Sequence, residues 1–415
     1  MFSKTITMIF FASILLFLAS GSCPAKKIKS EELQLGVNDK QMAVAINDFT
    51  FELFKEIVDA EGTQNIFVSP FSVSYALGMT YNGARQETAE SMRDVLKYGE
   101  LDNKAINEAY KNLMQTLTQI DSEVVFEIAN SIWYRKGFKV EETFLDLNRN
   151  YFESEVSGLN FADPKSCDII NNWVAESTHD KIEEIISPPI DPQMVMYLIN
   201  AIYFKGTWES EFEKGNTKKE PFYLADGTQI ECDMMNQKSD YRFYQDSNYL
   251  MIDMPYGSGN YSMAAFLPAE GRSVDNLIST FNAELFRSSR NLASMGEVKL
   301  HFPKFKLQYK LKLNDVLSKL GMEIAFVPRK ADFSGISSED TLWIDEVLHK
   351  TFVQVDEKGT EAAAVTSVGV MALSAAPQPP FEIRFDRPFI YVIHDKSSGA
   401  ILFVGKIEKP EWEEG

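Results

Sequence analysis

Cysteine is scarce: this chain of 415 residues has 3, at positions 23, 167 and 232. That number, so widely spaced, cannot build a disulfide framework. Histidine is equally sparse, with His179, His301, His349 and His394 making up all 4. None forms a metal-type pair at helical spacing and no cysteine pair accompanies them, which argues against a zinc site. A nucleophile elbow, a phosphate loop and a dinucleotide fingerprint are all missing, so no enzyme activity and no cofactor is expected. Positive charge is also in deficit, with 41 Lys and Arg against 60 Asp and Glu and a net charge of -19. Nucleic acid needs a concentrated basic surface and is therefore an unsuitable partner. The same deficit argues against an anionic membrane surface and a heparin-like polyanion.

Apolar content of 45% with 12% aromatics suffices for a sizeable core. With no repeat, low-complexity tract or long linker, the chain reads as one continuous domain. Its beginning is different: Lys4 precedes an apolar run over 6–19, then Ser20, Gly21, Ser22 and Cys23. That run is shorter than the roughly 20 residues of a membrane span. The layout predicts a signal peptide over 1–22, a secreted extracellular protein, and one domain over 23–415. Small residues before Cys23 also leave open a lipid anchor there if the source is bacterial. Cys167 and Cys232 are expected to be buried thiols.

Apolar residues at Ile46, Phe49, Leu53, Phe54, Ile57 and Val58 predict a helix. A short strand over 65–70 and helices over 72–81 and 105–117 follow. Strand signals cover 124–134 and 194–204, and 249–267 reads as a hairpin around Gly257-Ser258-Gly259. The spacing further predicts a strand over 298–307 and a helix over 309–320. Two last strands, 381–393 and 401–407, flank Ser397-Ser398-Gly399. Helices early, strands late and strands following strands define an α+β class. Asn260-Tyr261-Ser262 is a glycosylation sequon within the predicted hairpin.

The most unusual segment spans 357–380. Read as a strand, one face carries Thr360, Ala362, Ala364, Thr366, Val368, Val370 and Ala372, all small or β-branched and uncharged. Such a face can enter a sheet without burying an unpaired charge, a penalty of several kcal/mol. Gly359 permits a hinge at its start. Pro377, Pro379 and Pro380 lack amide donors and keep the far end out of a central strand.

This segment resembles the hinge and reactive loop of the serpins, and the likeness extends over nearly the whole chain. Asn65-Ile66-Phe67-Val68-Ser69-Pro70-Phe71-Ser72 is similar to the family's early strand-to-helix signature. Asn200-Ala201-Ile202-Tyr203-Phe204-Lys205-Gly206-Thr207-Trp208 is similar to its central-sheet motif. Phe302-Pro303-Lys304-Phe305, Ala331-Asp332-Phe333-Ser334-Gly335, His349-Lys350, Phe385-Asp386-Arg387-Pro388-Phe389 and Phe403-Val404-Gly405-Lys406 follow in the family's order. Asp180 departs from it, standing where the family usually has glycine.

The resemblance implies helices packed around a large central mixed β-sheet with smaller sheets, and an exposed reactive-centre loop. It implies a monomer that inhibits an extracellular chymotrypsin-like or elastase-like serine protease as a suicide substrate. Ser69, Ser72, Asn200 and His349 match the cluster beneath the point where the sheet opens; Trp208, Lys304 and Glu357 match the loop-entry region, with a Lys304–Glu357 ion pair. Gly359, Thr360, Ala362, Ala363 and Ala364 match the inhibitory hinge. By loop length, the attacked bond is Leu373–Ser374, and the distance on to Phe389 fits the longer loop of antichymotrypsin-like members. A non-inhibitory member (chaperone, storage or carrier) and a cross-class inhibitor of cysteine proteases are the alternatives.

Overall fold

Val37–Glu61 forms helix α1 because Met42, Ile46, Phe49, Leu53, Phe54 and Ile57 fall on one face, all fully buried. Strand β1 (Ile66–Val68) leads into α2 (Pro70–Tyr81), where the Ser69 hydroxyl accepts from the Ser72 amide and proline takes the first helical position. Helices α3 (Gln86–Val95) and α4 (Asn103–Leu117) follow; the Asp102 carboxylate caps α4 by accepting from Ala105 N. Strand β2 (Val124–Arg135), helix α5 (Glu142–Phe152), strand β3 (Glu155–Leu159), helix α6 (Lys165–Ser177) and strand β4 (Met196–Thr207) then alternate. Next come β5 (Lys218–Tyr223), β6 (Gln229–Gln245), β7 (Tyr249–Tyr256) and β8 (Tyr261–Pro268), with α7 (Val274–Thr280) and α8 (Ala283–Leu292). Strands β9 (Ser294–Pro303) and β10 (Phe305–Lys312) precede the short α9 (Asn314–Leu317). The remaining strands are β11 (Leu348–Asp356), β12 (Gly359–Thr360), β13 (Phe381–Arg384), β14 (Phe389–Asp395) and β15 (Ile401–Ile407). This computed structural model describes residues 35–191, 194–339, 341–360 and 380–412.

The strands make two mixed sheets. The larger runs β1-β15-β14-β8-β7-β6-β9-β13, with β5 on β6. The other, which matters most here, runs β10-β11-β12-β4-β2-β3. Along β4 the pleat sends Ile202 and Phe204 into the main core and Ile199 and Ala201 to the other face. On that second face α6 closes a smaller apolar cluster with Cys167, Ile170 and Val174 against Trp133, Ile199 and Ala201. Cys167 and Cys232 are both buried free thiols.

Several sequence expectations need correction. The predicted helix over 309–320 is strand β10 as far as Lys312, since Phe305, Leu307 and Tyr309 point inward while Gln308 and Lys310 face out, a period of two. The run over 298–307 is two strands broken at Lys304, and 381–393 is two strands broken at Asp386-Arg387-Pro388. Helices are not confined to the early chain: α5, α6, α7 and α8 lie among the strands. Helix α4 begins two residues before the predicted start and so includes Lys104, which pairs with Glu108 at 3.6 Å. The sequon at Asn260 offers no free amide, because Nδ2 donates to Ile120 O and Ser258 Oγ, both at 3.0 Å, and Ser262 is buried.

Asp180 follows α6 with φ of 60°, beside His179 at 50°. A left-handed backbone costs a residue with a Cβ roughly 1–2 kcal/mol, whereas glycine carries an entropy cost of about 0.5–1 kcal/mol. Asp180→Gly is therefore expected to stabilise the protein by up to about 1 kcal/mol, read as a raised urea midpoint.

Candidate functional site: the loop entry

The loop begins inside the sheet. Gly359 and Thr360 form β12, pairing on one side with Asp356 and Val355 of β11 and on the other with Thr207 and Gly206 of β4. Among the described residues, β11 and β4 are joined in the sheet only through this wedge. Gly359 is required there: its φ is 151°, and a Cβ would come within 2.1 Å of the Gly206 carbonyl oxygen. Thr360 is buried beneath the sheet, its hydroxyl 2.6 Å from Tyr256 Oη. Even-numbered positions at this point thus face the core.

The reversal from β11 into β12 is pinned at Glu357. Its carbonyl accepts from Phe212 N at 2.7 Å, and its carboxylate meets Lys304 Nζ at 2.9 Å and Thr217 Oγ1 at 2.7 Å. Burial works against ionisation of Glu357, yet the hydrogen bonds from Lys304 and Thr217 outweigh it and hold the carboxyl below its usual range. Trp208 braces the same reversal: its indole Nε1 donates to Asp356 O at 2.9 Å and its backbone N to Lys358 O at 2.8 Å. Its ring stacks on Tyr256 at 4.4 Å. Because the Glu357 side chain is only 5% exposed, removing its partner strands a nearly buried charge. Lys304→Ala is expected to cost about 1.5–3 kcal/mol of unfolding free energy, measured by urea titration.

Further down the same two strands lies a second polar group. Ser69 N donates to His349 Nε2 at 3.0 Å and Ser69 Oγ to Leu402 O at 2.6 Å. Ser72 Oγ donates to Asn200 Oδ1, and Asn200 Nδ2 to Asn130 Oδ1 at 2.6 Å. Helix α2 thus ties both strands from below, through His349 on β11 and Asn200 on β4. Because Nε2 accepts a hydrogen bond, the ring is neutral, and burial pushes its pKa down to about 4. Beside this cluster is a cavity of about 210 Å³, lined by Ser72, Val73 and Ala76 of α2, Tyr197 and Asn200 of β4, and Leu348 and His349 of β11. It separates the lower halves of β4 and β11.

On its far side, the loop rejoins the structure at β13, which pairs in parallel with β9. Phe381 stacks on Phe243 at 4.9 Å, Glu382 meets His301 Nε2 at 2.9 Å and Lys299 at 3.2 Å, and Arg384 pairs with Glu220. Both ends of the loop are therefore anchored, in different sheets.

Of the residues singled out in the sequence, Trp208, Lys304, Glu357, Gly359 and Thr360 converge at the upper end of β4, and Ser69, Ser72, Asn200 and His349 lower down. Ala362, Ala363, Ala364, Leu373 and Ser374 lie outside the described residues, as do 1–22 and Cys23. Three neighbours of the site were not legible: Thr217, Tyr256 and Trp412, whose ring lies 4.9 Å from Lys304 Nζ. A buried tyrosine in a hairpin and a tryptophan among acidic residues were the only signals.

Residues 44–410 match the model of the family described as Serpin (serine protease inhibitor). An uncharacterized serpin-like protein of Thermococcus kodakarensis is 35% identical over 90% of this chain and 87% of its own length. The thermophilic serpin tengpin in its native state superposes with a TM-score of 0.80 at 34% identity, covering 92% of this chain and 95% of that one. Human thyroxine-binding globulin, solved in complex with thyroxine, gives a TM-score of 0.81 at 28% identity over 90% of this chain and 100% of its own.

Proposed function

This chain belongs to the serpin family, most of whose members inhibit proteases, and we propose that it traps a chymotrypsin-like or elastase-like serine protease. The observation that carries this reading is β12, a two-residue strand already seated between β11 and β4. In the inserted form, continuing this register would set Ala362 and Ala364 on the core side and bring Thr366 between Asn200 and His349. The uncharged face of the loop is thus the one that would turn inward, and its threonine would arrive at the polar cluster. The cavity between β4 and β11 lies along that path.

In the proposed reaction the protease serine oxygen attacks the Leu373 carbonyl carbon. The bond to Ser374 breaks, the new amine leaves with a proton, and an ester joins Leu373 to the protease. Leucine suits a deep apolar specificity pocket. The severed loop then zips into the sheet from β12 and carries the acyl-enzyme with it, gaining ladder hydrogen bonds worth about 0.5–1.5 kcal/mol each. Displacement of the captured active site stalls hydrolysis of the ester, so each inhibitor molecule acts once.

Export, with residues 1–22 as the signal peptide, and action as a monomer belong to the same proposal. A polyanion requirement is not expected, since Lys104 and Lys111 are the two cations that α4 carries. The test is a denaturing gel with chymotrypsin and elastase, followed by mass spectrometry. An SDS-resistant adduct ending at Leu373 is expected. Cleavage without an adduct overturns inhibition and leaves a carrier or storage role.

A further inference from the structure

We propose that Trp412 is a positioning residue of the loop entry, acting through Lys304 on Glu357; this rests on the inhibitory reading above. After β15 the chain crosses the edge of β10, where Lys306 N donates to Glu411 O at 2.8 Å and Lys306 bridges Trp412 in parallel. A Lys409–Glu411 ion pair at 2.5 Å holds the same segment. The crossing seats the indole 4.9 Å from Lys304 Nζ. The ammonium is therefore shared between an aromatic face and the Glu357 carboxylate, 2.9 Å away.

The core does not need this residue: Trp412 is 41% exposed and lies beyond the last strand of the sheet. What it changes is the environment of one ion pair. An aromatic face attracts a cation, and covering the pair on one side lowers the local dielectric that weakens it. The partner, Glu357, pins the chain reversal two residues before Gly359 enters the sheet. Greater order at Glu357 raises the occupancy of β12, and β12 is the nucleus from which further insertion proceeds. Insertion competes with hydrolysis of the acyl-enzyme. A tighter pin therefore shifts the outcome toward trapping and away from release of cleaved inhibitor.

The test uses the full chain with Trp412→Ala, Trp412→Phe, Lys304→Ala and the Lys304→Ala/Trp412→Ala double variant. Two readouts are taken: amide hydrogen exchange over 357–360 in the intact protein, and molecules of inhibitor consumed per chymotrypsin inactivated. Trp412→Ala is expected to speed exchange about two- to fivefold and to raise consumption, with Trp412→Phe restoring most of both. The double variant should match Lys304→Ala alone, because the ring acts through that ammonium. Trp412→Ala exchanging like wild type, or adding in full to Lys304→Ala, overturns the assignment. A wild-type protein that forms no adduct overturns the inhibitory reading instead, while the exchange arms still decide whether Trp412 couples to Glu357.

Discussion

On the inhibitory reading proposed above, Thr360→Arg is expected to leave a protein that chymotrypsin cleaves without being trapped. Thr360 is buried under the sheet with its hydroxyl on Tyr256, and Trp208 stacks on the other part of that ring. An arginine in this position would bury a cation with no carboxylate beside it, at a cost of several kcal/mol. Expelling β12 avoids the cost but removes the nucleus for insertion. Either way hydrolysis of the acyl-enzyme should win, and adduct yield should fall by about a hundredfold or more, since 1.4 kcal/mol is a factor of ten. Stability of the uncleaved protein should drop by about 1–3 kcal/mol, because expelling β12 leaves the buried Tyr256 hydroxyl without its partner. The measurement is adduct yield on a denaturing gel beside urea unfolding. Adduct formation equal to wild type would show that the small face of the loop never enters the sheet.

Acidification should weaken the joint between β4 and β11 well before carboxylates titrate broadly. Burial holds the His349 pKa at about 4 in the folded protein, below the ordinary 6.5. A base whose pKa is lower when folded favours the neutral ring in the native state. Its contribution is fully present above about pH 6.5 and is lost progressively as pH falls to about 4. The difference corresponds to about 3 kcal/mol over that window. Protonation also places a donor at Nε2 opposite the Ser69 amide, so the tie from α2 to β11 breaks. Unfolding free energies at pH 7.5, 6 and 4.5 should therefore fall more steeply in wild type than in His349→Gln, which keeps an acceptor but does not titrate. Parallel pH profiles for the two proteins would assign the acid sensitivity elsewhere, with buried His394, whose pKa burial also lowers, the next group to replace.

The periodic elements were legible wherever one face is strongly apolar. Helices α1 and α4 followed from spacing, because each buries one stripe, whereas α2 and the hairpin of β7 and β8, buried on nearly every side, were read from small-residue composition and from the Gly257-Ser258-Gly259 turn. Helices α5 and α8 escaped notice since only Phe144, Leu145, Asn148 and Phe152 of the first, and Phe286 and Ser289 of the second, are buried. Strand β10 was misread because its period-two alternation runs within two residues into the short helix α9, so the change of period falls inside the stretch 309–320. At the site, the small uncharged face after Gly359 could be recognised because a strand's period of two is intrinsic to the backbone. Thr217, Tyr256 and Trp412 could not, as each reaches the loop entry from a part of the chain far away in sequence.

From its order of residues alone this chain determined the pattern on which the proposed insertion rests: a glycine, then small uncharged side chains on every second position, then prolines that stop a strand. It also determined the class of fold and the family, because its motifs occur in sequence along one domain. Only the tertiary structure decided where that segment begins to pair, that Thr360 points into the core, and which partners hold Glu357. Register depends on the neighbouring strands, and β11 and β4 come from positions about 150 residues apart. Likewise the Glu357 carboxylate gains its partners from Lys304 and Thr217 only when three distant elements pack together.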